Sequence, residues 1–211
     1  MVKQERARRT FQRIVSAAAD RFEKNGYNGT TLDDISREAG VSKGALYFHF
    51  GSKQEVADAV TEHSYGLLED LLDIEPDPGG SAVQQLIDLT HGLSRLLHGE
   101  PTLRAALRFH RERTRLGEEF DHYALWLAGV ERQLARAAER RELRGDLPGR
   151  AGRVLAMVTL FSVESLAARR VPDMEAAQQI TDLWNVLLGA FVPLPAAGGF
   201  RTGVPEPCPA R

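Results

Sequence analysis

The chain has 211 residues, 43% of them hydrophobic and 27% charged, with a formal net charge of −2. That balance is the one of a soluble globular chain with room for one large core or two small ones, and it argues against a disordered or fibrous protein. Cys208 is the only cysteine, which excludes an intrachain disulfide, and with no signal peptide and no run near the roughly 20 apolar residues of a membrane span, a cytoplasmic protein without a membrane partner is expected.

The charge is unevenly spread. Residues 1–60 hold ten Lys or Arg against eight Asp or Glu, and all four lysines fall there. Lys3, Arg6, Arg8, Arg9 and Arg13 crowd the start. Such an arm is suited to contact phosphate, with Arg6 as the candidate residue; the competing reading is a solvated terminus.

Arg6 to Asn25 reads as a helix with Phe11, Ile14, Val15, Ala18 and Phe22 on its apolar stripe and Gly26 as its stop. Tyr27 to Thr30 is a turn. Thr31 then caps a short helix carrying Leu32, Ile35 and Ala39. Gly40 stands where the chain must turn sharply, and Val41 fills that turn. Ser42 caps a second short helix from Lys43 to Phe48, anchored by Leu46. This is the layout of a helix-turn-helix, and with the first helix packed across it the head has the plan of a homeodomain.

The outer face of the second short helix carries Lys43, Gly44, Ala45, Tyr47 and His49, whereas Phe48 and Phe50 are assigned to the core. Lys43 can reach a guanine edge or a phosphate, Tyr47 can lie along the sugar-phosphate wall, and His49 can donate to phosphate. Gly44 and Ala45 keep the surface low. Thr31, Ser42 and Lys53 stand at helix starts, where backbone N–H groups face phosphate. The competing readings are core packing for Tyr47 and a surface histidine for His49.

Ser52 caps the next helix, with Glu55 at the capping-box position, and it runs to about Asp73. Glu75 to Gly80 is a loop. Helices follow from Ser81 to about His98, from Glu100 and Pro101 to about Arg115, and from about Glu118 to Leu143. The stretch from Arg150 to Arg170 is apolar nearly all round, which implies burial on more than one side. Met174 to Phe191 is the last helix. These two suit a subunit interface. Residues 193–211, rich in Pro, Gly and Ala, read as a disordered tail. The fold class is all-α: a helix-turn-helix domain at 1–51, a larger helical domain at 52–192, then the tail.

Thr159, Ser162 and Ser165 punctuate the apolar helix of 150–170. Each hydroxyl can bond back to its own helix or fix a ligand in an apolar pocket. Glu164 needs a partner if buried, and an arginine across a dimer is the expected one. Trp126, with Tyr123 one turn before it, is either core or pocket wall. His91, His98, His110 and His122 make no metal signature and read as scattered surface residues; no catalytic motif is found, and no enzyme, cofactor or metal is expected.

The run TTLDDISREAGVSKGALYFHFGSKQEVADAV resembles the DNA-binding head of the TetR family of bacterial repressors. Thr31, Ile35, Ala39-Gly40-Val41, Gly44, Leu46 to Phe50 and Lys53 carry the likeness, over roughly residues 8–60. Within that family the second half is similar to the γ-butyrolactone autoregulator receptors of actinobacteria. Leu103-Arg104-Ala105 and Leu107-Arg108 after Pro101, Trp126, and the run from Trp184 to Pro193 support this. The resemblance implies a homodimer joined through the last two long helices and bound to palindromic double-stranded operator DNA. It implies a small lactone, furan or butenolide effector near Trp126 that releases the DNA, and control of antibiotic or signal biosynthesis genes. A bulkier drug-like effector, or a ligand-blind DNA-binding protein, are the alternatives.

Overall fold

The structure is a computed structural model, and it describes residues 2–74, 80–112 and 120–205. Every regular element among the described residues is a helix: α1 (Val2–Asn25), α2 (Leu32–Glu38), α3 (Lys43–His49), α4 (Lys53–Leu72), α5 (Ala82–Gly99), α6 (Pro101–Arg111), α7 (His122–Glu139), α8 (Ala151–Ala168), α9 (Asp173–Phe191) and the short α10 (Leu194–Ala197). The expected helix ends near Arg115 and Glu118, Cys208, and all of the 75–80 loop but Gly80 lie outside the described residues.

The helix boundaries follow their caps. Gly26 and Gly40 take φ of +72° and +60°, the left-handed backbone that a glycine accepts without a Cβ penalty. Ser52 Oγ accepts from the Glu55 N–H at 3.1 Å, while Glu55 Oε2 reaches one residue further back, to the Gly51 N–H at 2.8 Å. Ser81 Oγ accepts from the Gln84 N–H at 3.1 Å, and Glu142 closes the same end of α5 by accepting from Ser81 Oγ at 2.7 Å and the Val83 N–H at 3.0 Å.

The described chain forms two compact units: residues 1–67 with 99–122, and residues 68–98 with 123–211. This division differs from a cut at residue 51, because α6 packs on α1. Phe109 meets Phe22 edge-on at 5.2 Å and Tyr27 at 6.2 Å, and Arg104 pairs with Glu23 at 3.0 Å. The core of the first unit is Ile14, Ala18, Phe22, Ile35, Leu46, Phe50, Val56, Val60 and Phe109, all buried. The second unit buries Leu86, Leu93, Leu97, Trp126, Leu155, Leu160, Val163, Ile180, Trp184 and Leu188.

Two expectations differ from the structure here. Residues 193–205 of the supposed tail are ordered: the Arg201 N–H donates to Gln84 at 2.9 Å, the Arg201 guanidinium pairs with Asp88 at 3.2 Å, and Thr202 O lies 2.8 Å from His91 Nε2. Composition alone reads this segment as disordered, but polar side chains of α5 supply its backbone with partners. Next, of the four histidines read as surface residues, His110 is exposed but the other three are not. His91 and His122 are buried, and the nitrogens of His98 lie 2.8 Å from Ser94 O and 3.0 Å from Val171 O. By length and mean hydropathy (1.4) alone, α8 would pass for a membrane span. Its inner face, Leu155, Ala156, Thr159, Leu160, Val163 and Ala167, is nonetheless buried in the second unit, the behaviour of a core helix.

Candidate nucleic-acid interface and effector region

The α2–turn–α3 segment is fixed by its own caps. Thr31 and Asp34 form a reciprocal capping box: Thr31 Oγ1 accepts from the Asp34 N–H at 3.2 Å, and Asp34 Oδ2 accepts from the Thr31 N–H at 3.2 Å and its hydroxyl at 2.6 Å. Those bonds from Thr31 hold the Asp34 carboxyl below its ordinary pKa. Arg13 Nη2 donates to Ala39 O at 2.5 Å and Gly40 O at 3.2 Å, tying the turn to α1. Ser42 Oγ accepts from the Ala45 N–H at 3.1 Å and starts α3. The Phe50 N–H donates to Leu46 O at 2.9 Å and ends it.

Leu46 and Phe50, both buried, define the inner side of α3. Lys43, Gly44 and Tyr47 are exposed; Ala45 and His49 are half-buried. Phe48 corrects the expectation that it belongs to the core, for it is 79% exposed. At about 100° per residue, position 48 lies about 200° round the helix from Leu46, on the opposite side. Helical spacing from Leu46 and Phe50 carried that signal. Tyr47, 55% exposed, and Phe48 are thus two exposed aromatics on the outer face. His49 meets Phe48 and Phe11 edge-on at 5.3 Å and 6.3 Å.

Both lysines are already engaged. Lys43 Nζ lies 2.6 Å from Asp33 Oδ2, an ion pair from α3 back to α2. Lys53 turns its ammonium inward: it donates to Tyr27 O at 2.9 Å and Thr30 O at 3.0 Å, 4.2 Å from the centre of the Tyr27 ring. Lys53 therefore ties α4 to the turn before α2, a structural role that the sequence reading missed. Arg6 is exposed on α1. Gly44 has no heavy atom outside its own helix backbone within 4 Å of where a Cβ would stand, so the first turn of α3 is open to an approaching surface.

In the second unit α7 and α8 bring several of the expected effector residues together. Trp126 is 1% exposed, and its Nε1–H donates to Thr159 Oγ1 at 3.1 Å. The Thr159 hydroxyl donates back to its own helix, with Leu155 O at 2.8 Å. Tyr123 OH donates to Glu164 Oε2 at 3.1 Å, so the buried Glu164 has a partner within its own chain, where an arginine of a second subunit was expected. Ser162 is half-buried. Ser165 is exposed, one to three turns along α8 from the exposed Val154, Met157 and Phe161, and does not join the Trp126–Thr159 pair.

A capped two-turn helix behind a positive-φ glycine, presenting a lysine, a bare glycine and two aromatics, defines a helix-turn-helix DNA-binding protein. Comparison with known proteins gives the family. Residues 14–60 match the model of the bacterial regulatory proteins, tetR family. A solved γ-butyrolactone receptor (ArpA-like protein) is 30% identical, with 92% of this chain and 93% of that one aligned at a TM-score of 0.77. CprB from Streptomyces coelicolor, solved in complex with its biological operator sequence, is 29% identical over 92% of this chain and 94% of that one, also at 0.77. The A-factor receptor protein of Streptomyces griseus is 28% identical over 188 residues, 89% of this chain, and the chain spans 66% of that protein's length. The chain belongs to the TetR family of transcriptional regulators, and its likeness to the γ-butyrolactone receptors runs through both units.

Proposed function

We propose that this protein is a ligand-responsive repressor acting in the cytoplasm, not an enzyme. A homodimer binds a roughly palindromic operator, one α3 per half-site in successive major grooves. The observation that carries this is the outer face of α3: Lys43, Gly44, Tyr47 and Phe48 exposed on a helix whose other side is locked by Leu46 and Phe50. Lys43 and Tyr47 make the base-edge and backbone contacts, Ala45 keeps the approach low, His49, Thr31, Ser42 and Arg6 face phosphate, and Lys53, its ammonium turned inward, offers phosphate only the backbone N–H at the start of α4.

The dimer is supported by α8 and α9. Val154, Met157 and Phe161 are 54%, 52% and 47% exposed on one stripe of α8, and Met174 and Val186 are exposed on α9. An apolar stripe of this kind on long helices is a surface that wants a partner. The effector is a small γ-butyrolactone-, furan- or butenolide-like molecule, received near Trp126, Tyr123, Thr159 and Ser162. It needs only higher affinity for the conformer that does not fit the operator. By analogy with the receptors of this branch, the targets are genes for antibiotic or signal synthesis. The test is selection of binding fragments from random-sequence DNA, followed by addition of lactone, furan and butenolide panels to the complex. Release by one of them supports the reading; a complex that all three classes leave intact contradicts the effector class.

A further inference from the structure

We propose that the first unit carries a small-molecule site of its own, bordered by α1, α4 and the start of α6, which takes a compact apolar carboxylate. All the residues that line it belong to the first unit. The cavity measures about 400 Å³, and pockets for small ligands run from roughly 300 to 1,000 Å³. Phe11, Val15 and Ala19 of α1 and Pro101 of α6 give it an apolar wall.

Its polar end is the first turn of α6. The N-cap, Glu100, makes no side-chain capping bond, and Pro101 has no N–H. The N–H groups of Thr102 and Leu103 come in the turn that has no intrahelical acceptor. Thr102 lines the cavity, is 4% exposed, and its Oγ1 is buried without a hydrogen-bond partner. An orphaned buried hydroxyl is rare in a folded core unless a water or another bound molecule satisfies it. A carboxylate at this turn receives the hydroxyl and the two N–H groups and lies in the positive field of the helix end. Arg8 at the rim adds a cation, while Glu100 on the same rim opposes an anion and so limits affinity.

The cavity also has a route to the recognition helix. Phe11 forms part of its wall and stacks on Phe50, the C-cap of α3, at 5.1 Å. A ligand against Phe11 is one ring away from α3, and the His49 ring meets the same phenylalanine.

The experiment uses full-length protein with ¹³C-labelled methyl groups and two probes, benzoate and its neutral counterpart benzamide. Benzoate is expected to shift the Val15, Ala19 and Thr102 methyl signals saturably, with the His49 ring signals moving alongside, and benzamide to bind about tenfold more weakly. Thr102→Val is expected to weaken benzoate by about tenfold without lowering the Tm, since the hydroxyl has no native bond to lose. Glu100→Gln is expected to tighten it. Unmoved methyl signals, equal binding of the two probes, or a Thr102→Val protein that binds benzoate as well as the wild type overturns the site. A drop in Tm for Thr102→Val does the same, because it reveals a native partner. Saturable methyl shifts with a still His49 ring overturn the route to α3.

Discussion

Lys43 is paired with Asp33 at 2.6 Å, and a phosphate or a guanine edge must compete with that carboxylate. Asp33→Asn is therefore expected to tighten operator binding several-fold and to steepen its salt dependence by about one ion, measured by anisotropy across a salt series. Weaker binding would mean that Asp33 positions Lys43 rather than shields it. Gly44 separates fold from function in another way. With open space where its Cβ would stand, Gly44→Ala is expected to raise stability by up to about 1 kcal/mol, while Gly44→Leu folds normally and loses the operator. The caps Thr31 and Ser42 and the turn at Gly40 were legible in the sequence because each depends on a few neighbouring residues. Phe48 was legible too, by its angle from Leu46, but its apolar character outweighed its position. The Lys43–Asp33 pair and the inward turn of Lys53 were not legible, since they depend on how separate helices pack.

At the scale of elements, the surprises come from contacts between distant segments. α6 belongs with α1 through Phe109, Phe22 and the Arg104–Glu23 pair, and nothing in the periodicity of α6 says which neighbour it will choose. His122, at the start of α7, shows the energetic side of such a contact. It is buried, its ring nitrogens lie 2.9 Å from Ser64 Oγ and 3.1 Å from Phe120 O, and burial pushes its pKa down to about 4. Between about 6.5 and about 4 the unfolded chain binds a proton that the folded one does not, so stability is full above this window and falls as the pH drops through it. The loss reaches up to about 3 kcal/mol. His122→Phe is expected to flatten that part of the pH–stability curve, read by urea unfolding at pH 7 and 4.5, and Ser64 keeps its bond to Thr61 O at 2.9 Å. An unchanged curve would remove His122 from the account. Gly129 marks a close approach in the second unit: an added Cβ would stand 2.6 Å from Leu72 Cδ2, so Gly129→Ala is expected to cost about 1–3 kcal/mol by the same measurement.

At the scale of the whole molecule, the apolar face of α8 is the feature that a single chain leaves unexplained. The sequence read this helix as apolar all round and buried on more than one side, yet one chain covers only its inner face. A second subunit covers the rest on the reading proposed here. Phe161→Glu is then expected to give a folded monomer by sedimentation, and with it a loss of operator affinity, because two linked heads bind far more tightly than one. A dimeric Phe161→Glu protein would place the interface elsewhere. The order in residues 193–205 was hidden from composition for a related reason: Gln84, Asp88 and His91, on a helix more than a hundred residues earlier, hold Arg201 and Thr202.

On the function proposed above, α3 reads DNA as one of a spaced pair. The most direct measurement is equilibrium binding of full-length protein to a duplex that the wild type selects from random-sequence DNA, with stoichiometry and circular dichroism recorded on the same samples. An even number of protomers per duplex is expected and, for a Lys43→Ala, Tyr47→Ala double variant of unchanged helicity, an affinity lower by about a hundredfold or more. A double variant that keeps both its fold and its wild-type affinity would contradict it.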